Sequence, residues 1–366
     1  MSGSLIARTR VVPSAAVLCA AALLVAGCSS SGSEASRTST APGAEAPAAV
    51  TASNGGDALQ SAYQNTVRNV LPSVVQINTD QDLGSGVIYD AKGDIVTNAH
   101  VIGNAKSFVV SLATGGRPLA AKLVSTFPAN DLAVIRLSSV PSGLKPASFG
   151  DSGKVGVGEI VLAMGNPLGL SSSVTQGIVS ATGRTVSEGK SDSGGGGGAG
   201  ATIPDMVQTS AAINPGNSGG ALVDLNNQVI GIPTLAATDP QLGSGAAPGI
   251  GFAIPSSTVK RIADQIIKNG KVTNSGRAAL DVTVRGVVGG AFQPAGVAIV
   301  SVVKGGAAAK AGLKAGDVIM KVGSTRITTL QSLTETLAAY KPGQVVKVSY
   351  DRDGTAKSTK VTLGSL

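Results

Sequence analysis

The chain has 366 residues, which suggests about two domains, and its 29 basic and 21 acidic residues give a formal net charge of +8. The basic residues are spread along the sequence and tryptophan is absent, whereas a nucleic-acid site calls for a clustered basic face, often with stacking aromatics. We therefore expect no nucleic-acid partner. One histidine and two cysteines argue against a zinc or thiolate metal site, and no metal or cofactor is expected.

The N-terminus has the pattern of a secretory signal. Arg8 and Arg10 precede an apolar run over residues 11–26, and a basic segment followed by a short apolar segment is typical of exported proteins. The run is shorter than the roughly 20 residues that span a bilayer. An uncleaved membrane anchor is the alternative interpretation.

The end of this run, VAGC at residues 25–28, resembles a bacterial lipobox. The resemblance implies cleavage after residue 27 and lipidation of Cys28, so that the protein is anchored to the membrane and faces the periplasm or the outer side of the cytoplasmic membrane. Cys19 would leave with the signal peptide (1–27), and the mature domains would then contain no disulfide. Residues 28–58 are rich in small and polar side chains and are predicted to form a flexible linker.

Residues 59–272 are predicted to form a mainly β domain, a barrel or a sandwich, because short β-branched or alternating runs are separated by turn residues. The predicted strands are 73–79, 84–90, 94–98, 108–112, 120–125, 132–137, 159–164, 174–181, 206–209, 221–224, 228–232 and 250–254. Residues 182–204, which contain five consecutive glycines, and 243–249 are predicted loops, the first of them mobile.

One helix is predicted to close this domain, over residues 256–269. Its apolar side chains recur at helical spacing, with Ser256 expected to cap its start and Gly270 to end it. Asp264 and Lys268 are expected to form an i,i+4 ion pair.

The segment GNSGG at residues 216–220 places Ser218 on a glycine-rich turn, where successive N–H groups can converge on one oxyanion. The same letters fit the G-x-S-x-G elbow of α/β-hydrolases, but that fold needs its histidine after the serine. The single histidine, His100, lies upstream. The order is therefore that of chymotrypsin: histidine, aspartate, serine.

Four aspartates lie between His100 and Ser218: Asp131, Asp151, Asp192 and Asp205. Asp131 directly precedes an apolar strand and is best placed for burial, while the other three lie in loops or turns. A buried carboxylate beside an imidazole fixes its tautomer and stabilises the imidazolium. Asp131 is therefore the predicted acid.

The segments TNAHVI (97–102), NDLAV (130–134) and NPGNSGG (214–220) resemble the three triad motifs of the HtrA/Deg family, and GSGV (84–87) and GFAIP (251–255) match it as well. The resemblance implies a mainly β fold, a chymotrypsin-like double β-barrel followed by an α/β PDZ-like domain, and cleavage of unfolded proteins. It also implies homotrimers, formed through residues 59–71.

The resemblance assigns a role to each residue. Ser218 is the expected nucleophile, His100 the general base and Asp131 the orienting acid. The backbone N–H groups of Gly216 and Ser218, with Asn217 as a further contributor, are expected to form the oxyanion hole.

The substrate pocket is expected to contain Ala212 and Ile213 at its base and Thr234 and Leu235 along its wall. Because the base carries no acid to pair with Lys or Arg, the predicted preference is cleavage after small or medium aliphatic residues.

Residues 273–366 are predicted to form the PDZ-like domain, because residues 307–319 resemble the PDZ core motif. Strands are predicted at 297–303, 345–350 and 357–363, and a helix at 330–339. The peptide-ligand loop is Ala279, Leu280, Asp281 and Val282. Asp281 replaces the glycine usual in the family, which disfavours both a positive φ and a peptide carboxylate beside it.

The function predicted from the sequence is a serine endopeptidase of the bacterial cell envelope that degrades unfolded or misfolded proteins through an acyl-enzyme and is regulated by its PDZ-like domain. The alternative is an envelope chaperone that holds unfolded proteins and cleaves them only secondarily. The expected partners are peptide or unfolded-protein substrates, a PDZ peptide ligand and the membrane.

Overall fold

The computed structural model describes residues 55–79, 83–166, 173–187, 202–214, 216–239, 245–290 and 293–366, with only the backbone given for 235–239 and 245–248. The predicted signal peptide, Cys28 and the linker up to residue 54 lie outside the described residues. Within the described ranges, no helix is both long and apolar enough to cross a membrane.

Helix α1 spans Gly55–Val70, so the predicted linker extends four residues too far. Asp57 lies in its first turn, where a carboxylate interacts favourably with the positive end of the helix dipole. Val70 is buried, and Tyr63 and Val67 pack against the core between the barrels described below. This packing onto the protein body explains why a segment of modest hydrophobicity is helical.

The first barrel contains six of the predicted strands. They are β1 (Val74–Asn78), β2 (Leu83–Ile88), β3 (Asp94–Thr97), β4 (Ser107–Leu112), β5 (Leu119–Phe127) and β6 (Leu132–Leu137). The sheet closes in the order β1-β2-β3-β6-β5-β4. A short helix that was not predicted, α2 (Ala99–Ile102), follows β3.

The second barrel is formed by the strands that follow in the chain. They are β7 (Ser148–Phe149), β8 (Ile160–Gly165), β9 (Ser173–Ser187), β10 (Thr202–Thr209), β11 (Ala221–Asp224), β12 (Gln228–Asp239) and β13 (Gly245–Pro255). Their order is β11-β8-β9-β10-β13-β12-β7, and β11 also pairs with β12.

The two predicted loops of this barrel are partly strands. Thr202 pairs with Ser187, and Asp239 with Gly245, so both hairpins continue into the segments 182–204 and 243–249. Hydrogen bonding across a hairpin satisfies the backbone groups of both strands, which outweighs the low strand propensity of glycine and alanine. Residues 188–201, with the five glycines, lie outside the described part of the chain.

Both faces of β1 are buried, which explains its continuous apolar sequence. Val75 and Ile77 belong to the interior of the first barrel, whereas Val74 belongs to a core between the barrels that also contains Leu162 and Met164 of β8. Alternate side chains of a strand point to opposite faces. The strand therefore fills one barrel and joins it to the other.

Helix α3, Ser256–Asn269, covers this shared core with Val259, Ile262 and Ile266. As predicted, it ends at Gly270, whose φ is 71° and whose N–H donates to the Ile266 carbonyl at 2.8 Å.

Two details of the α3 prediction were wrong. The N-cap is Pro255, with no side-chain cap, because the Ser256 hydroxyl donates to the Gly150 carbonyl. Asp264 forms no ion pair with Lys268 among the described residues; its carboxylate accepts the hydroxyl of Tyr89 at 2.5 Å instead.

The C-terminal domain confirms the predicted PDZ-like fold. Its elements are β14 (Ala278–Ala279), β15 (Val282–Val288), β16 (Pro294–Val302), α4 (Ala307–Lys310), β17 (Val318–Val322), β18 (Thr325–Arg326), α5 (Leu330–Ala338), β19 (Val345–Arg352), β20 (Thr355–Thr362) and β21 (Gly364–Ser365). The main sheet has the order β15-β16-β17-β19-β20, while β14 pairs with β21. Leu280, Val297, Ile319 and Leu333 lie in its core.

Candidate active site

His100 is positioned by α2, which is held from both sides. Val101 and Ile102 are buried in the first barrel, and the N–H of Ala99 donates to the carbonyl of Asp131 at 3.1 Å. His100 itself projects from this anchored segment, with 44% of its side chain exposed.

Asp131 lies between a 3-10 turn, Pro128–Asn130, and strand β6, with a left-handed backbone at φ 49°. The side chain of Asp131 is 5% exposed. Its carboxylate lies 2.8 Å from His100 Nδ1 and accepts the backbone N–H of His100 at 3.0 Å. These two contacts set both the position and the orientation of the imidazole, which is the task of the triad acid.

Thr234 on β12 was predicted to line the substrate pocket, but its side chain has another role. It is buried, and its hydroxyl donates to the Asp131 carboxylate. Its carbonyl lies 3.4 Å from the Ser218 Oγ. Thr234 therefore contacts both Ser218 and Asp131, and Asp131 in turn contacts His100.

The turn that carries Ser218 requires its glycines. Gly219 has φ 79°, and a Cβ there would lie 2.3 Å from the Ser85 carbonyl oxygen. A Cβ on Gly220 would lie 2.2 Å from the Met164 carbonyl oxygen. Gly216 has φ 107°, which is favourable for glycine alone. At positions 219 and 220 the surrounding backbone therefore leaves no room for a Cβ, and only glycine fits.

Asn217, predicted to contribute to the oxyanion hole, uses its side chain to brace the same turn. Its Oδ1 accepts the N–H of Asn214 at 3.1 Å, and its Nδ2 donates to the Ala212 carbonyl at 3.0 Å. The amide is therefore committed to the turn, and the backbone N–H groups of Gly216 and Ser218 remain as the candidate oxyanion donors.

The residues predicted to form the base of the substrate pocket differ in their exposure to solvent. Ala212 is exposed, whereas Ile213 is 5% exposed and belongs to the interior of the second barrel. A Cβ on Gly251 would lie 2.3 Å from the Ile213 side chain, so Ile213 is packed within the protein. Leu235 lies on β12, and its side chain is outside the described part of the structure.

The predicted peptide loop of the PDZ-like domain borders a pocket of about 420 Å³ between β15 and α5. Asp281 has φ 58°, so it adopts the conformation expected of the glycine it replaces; aspartate is among the residues that tolerate it. Its Oδ2 accepts the N–H of Ala307 at the start of α4, at 2.8 Å. The carboxylate is thus engaged inside the domain, which the sequence had not indicated.

Arg277 also lines this pocket and was not predicted to have a role. Its side chain is buried, which lowers the pKa of its guanidinium to about 10, so the group is still charged at neutral pH. Its Nη1 donates to the carbonyl of Ala129, two residues before Asp131. The only sequence signal for such a role is that Arg277 is a basic residue just before the predicted peptide loop.

No group of three or more potential metal ligands occurs among the residues that the structure describes.

Two families of known protein domains match the chain. A trypsin-like peptidase domain family matches residues 84–232, and a PDZ domain family matches residues 265–363. The chain is 40% identical to "Serine protease PepD" of Mycobacterium tuberculosis, covering 83% of this chain and 66% of that protein. It is 39% identical to "Serine protease Do-like HtrA" of Lactococcus lactis, covering 76% and 70% respectively.

A third relative is the "Probable periplasmic serine endoprotease DegP-like" of Brucella suis, with 38% identity over 77% of this chain and 52% of that protein. The chain thus spans between about half and two thirds of the length of most of these relatives. Among solved structures, the HtrA-type protease AlgW with a decapeptide is 31% identical with a TM-score of 0.55, covering 83% of this chain and 98% of that one. The serine endoprotease from Yersinia pestis is 32% identical, with the same TM-score and coverage.

These matches cover both domains and include a relative of which the chain spans 70% at 39% identity. The chain therefore belongs to the HtrA/Deg family of trypsin-like serine proteases with a PDZ domain.

Proposed function

We propose that this chain is a serine endopeptidase in which Ser218 is the nucleophile, His100 the general base and Asp131 the acid that orients it. The observation that carries the proposal is the buried Asp131 carboxylate, which lies 2.8 Å from His100 Nδ1 and accepts the hydroxyl of Thr234. A proton on Nδ1 shared with this carboxylate leaves Nε2 as the basic nitrogen.

The reaction follows from these positions. Ser218 Oγ attacks the scissile carbonyl while His100 Nε2 takes its proton, and the Asp131 carboxylate stabilises the resulting imidazolium. His100 then gives this proton to the leaving amine, which leaves an acyl-enzyme on Ser218. A water molecule, deprotonated by His100, releases the acyl group. The N–H groups of Gly216 and Ser218 stabilise the oxyanion in both steps.

The substrates we propose are unfolded or misfolded proteins of the cell envelope. Relatives named as periplasmic endoproteases and a related protease with a bound decapeptide support this class. The exposed Ala212 in the predicted pocket offers no negative charge, so we expect cleavage after Ala, Val or Ile. We also propose, from sequence resemblance, export and lipid anchoring through Cys28 and assembly into trimers through the region of α1.

Regulation by the PDZ-like domain is supported by two contacts with the protease barrels. Helix α5, which lines the peptide pocket, lies against β9 and β10, and β10 leads directly to Ala212. Arg277, which also lines the pocket, donates to the Ala129 carbonyl in the turn that ends at Asp131. A peptide in the pocket would therefore touch elements that reach the active site by two routes.

The experiment that tests the proposal compares the full chain with its Ser218→Ala variant on an unfolded protein substrate. We expect cleavage by the wild type and none by the variant, with labelling of the wild type alone by a fluorophosphonate. The control is Ser257→Ala, which removes a serine hydroxyl from the exposed side of α3 and should leave cleavage unchanged.

Equal cleavage by the wild type and Ser218→Ala would refute the assignment of the nucleophile. Suppression of aggregation by both proteins, without cleavage or labelling of either, would favour the chaperone alternative.

A further inference from the structure

Ser85 lies on β2 at the junction of the two barrels and has no exposed surface. Its hydroxyl donates to the carbonyl of Gly216 and accepts the N–H of Asn166 at 2.8 Å. Since a hydroxyl has one donor hydrogen, the contact with Gly216 uses it fully and the contact with Asn166 fixes its rotation. The side chain of Ser85 therefore links β2 to the end of β8 and to the nucleophile turn.

The backbone of Ser85 makes two further contacts with the candidate active site. Its N–H donates to the carbonyl of Ser218 at 3.0 Å, and its carbonyl accepts the hydroxyl of Thr97 at 2.7 Å. Thr97 ends β3, three residues before His100. One buried residue thus holds the nucleophile turn at two carbonyls and is itself tied to the strand that leads to the base.

The flanking glycines make this anchor rigid. A Cβ on Gly84 would lie 2.5 Å from a Val101 methyl group, and a Cβ on Gly86 would lie 2.7 Å from the side chains of Ile77 and Ile95. The strand is therefore packed against its neighbours on both sides of Ser85 without room to shift. A hydrogen bond from such a position can impose a conformation on a more flexible partner.

That partner is Gly216, whose φ of 107° lies in a region open to glycine, where no Cβ limits the rotation of the peptide planes. The proposed oxyanion donors are the N–H groups of Gly216 and Ser218, and their directions depend on these rotations. The turn therefore needs an external constraint, and the contacts with Ser85 provide it at the carbonyls of both residues.

We propose that Ser85 is a positioning residue for catalysis. Its hydroxyl holds the Gly216 carbonyl and thereby keeps the oxyanion donors directed at the reacting carbonyl of the substrate. Ser85 acts through the turn and does not touch the substrate. The inference rests on the proposed function, because it takes Ser218 as the nucleophile. It assigns catalytic importance to a side chain that lies in the opposite barrel.

The test is Ser85→Ala in the full chain, assayed with a cleavable peptide and with a peptide boronic acid that forms a tetrahedral adduct on the active serine. Losing an oxyanion donor costs about 100- to 1000-fold in rate. Because Ser85 only positions the donors, we expect kcat to fall by about 10- to 100-fold. KM should stay within about twofold, and boronate affinity should fall in parallel with kcat, because both depend on tetrahedral geometry.

The matched control is Ser152→Ala, which also removes a buried hydroxyl that both donates and accepts, in this case with Ser257. It should lower the Tm by a similar amount and leave kcat unchanged, which separates a catalytic role from general stabilisation. If Ser85→Ala does not fold, Ser85→Cys fills the site with a slightly larger side chain that is a weaker hydrogen-bond donor, and its kcat should again fall while KM holds.

An unchanged kcat and boronate affinity in the folded Ser85 variant, while Ser218→Ala remains inactive, would overturn this inference and leave the proposed function intact. Absence of cleavage and of fluorophosphonate labelling in the wild type would instead overturn the proposed function, and this inference with it.

Discussion

The turn that carries the proposed nucleophile and the predicted PDZ ligand loop each contain a residue with positive φ, and they accommodate it differently. Gly219 has φ 79° with backbone atoms so close that a Cβ has no room. Asp281 has φ 58°, and its side chain accepts the N–H of Ala307. Glycine is therefore obligatory where two barrels close on a turn, whereas an aspartate is accommodated where its carboxylate completes a helix start.

Gly219→Ala should have the largest effect. The added methyl group would lie 2.3 Å from the Ser85 carbonyl oxygen and 2.4 Å from the Thr97 hydroxyl, so the turn must shift. Since misplacing oxyanion donors costs about 100-fold or more in rate, we expect a loss of at least that size in kcat/KM. The measurement is steady-state cleavage of a peptide.

The control for Gly219→Ala is Gly270→Ala, at φ 71° with nothing within 4 Å of the new Cβ. It carries the same conformational penalty without the collision, and its activity should match the wild type. Equal activity of Gly219→Ala and Gly270→Ala would show that close packing around the nucleophile turn is not required.

Thr234→Val should have the next largest effect. The change preserves the shape of the side chain and removes the hydroxyl that donates to the Asp131 carboxylate. A hydrogen bond to a charged group contributes about 1.5–3 kcal/mol, so kcat should fall by about 10- to 100-fold as Asp131 and His100 lose their orientation. Peptide hydrolysis measured against pH would report the change.

Thr66→Val is the matched control for Thr234→Val. The Thr66 hydroxyl is buried and has no hydrogen-bond partner within the described structure, so its removal should leave kcat unchanged and preserve or raise the Tm. Full activity of Thr234→Val would contradict a positioning role for Thr234.

Arg277→Met tests whether the PDZ pocket communicates with the triad. The variant keeps the apolar stem but removes the guanidinium that donates to Ala129. If this contact carries the effect of a bound peptide to Asp131, a peptide that stimulates cleavage by the wild type several-fold should stimulate the variant about twofold or less. The rate of the variant without peptide should fall only modestly. The assay is peptide-dependent cleavage of an unfolded substrate.

Arg261→Met is the control for Arg277→Met. Arg261 also donates to a backbone carbonyl, but to that of Ser275 and not to that of Ala129 in the turn before Asp131. The peptide should stimulate cleavage by Arg261→Met as much as it stimulates cleavage by the wild type. Normal stimulation of Arg277→Met would mean that regulation does not pass through Ala129.

The elements that could be predicted from sequence are those set by local patterns. Strand β6 follows a continuous apolar run and helix α3 follows its apolar periodicity. The order of His100 and Ser218 excludes the α/β-hydrolase elbow. The roles of Thr234 and Arg277 depend on hydrogen bonds to residues 103 and 148 positions away. No local pattern encodes such contacts, because they arise only when the barrels and the PDZ-like domain pack together.

Asp281→Gly should have the smallest effect and addresses the comparison of the two turns most directly. Glycine relieves the strain of a positive φ but loses the contact with Ala307, and these changes offset one another to within about 1 kcal/mol in the free energy of unfolding. Removing the negative charge beside the predicted peptide loop should tighten binding of a peptide with a free C-terminal carboxylate by a few-fold, as measured by fluorescence anisotropy.

The same peptide with an amidated C-terminus is the control for Asp281→Gly, because its affinity should not change. The variant Asp281→Asn removes the charge and keeps a side-chain oxygen that can accept the N–H of Ala307. It should therefore bind the free carboxylate as well as Asp281→Gly does. Unchanged affinity in both variants would mean that the Asp281 carboxylate, engaged by Ala307, is already screened from the ligand, and that the loop accepts this acid without loss of binding.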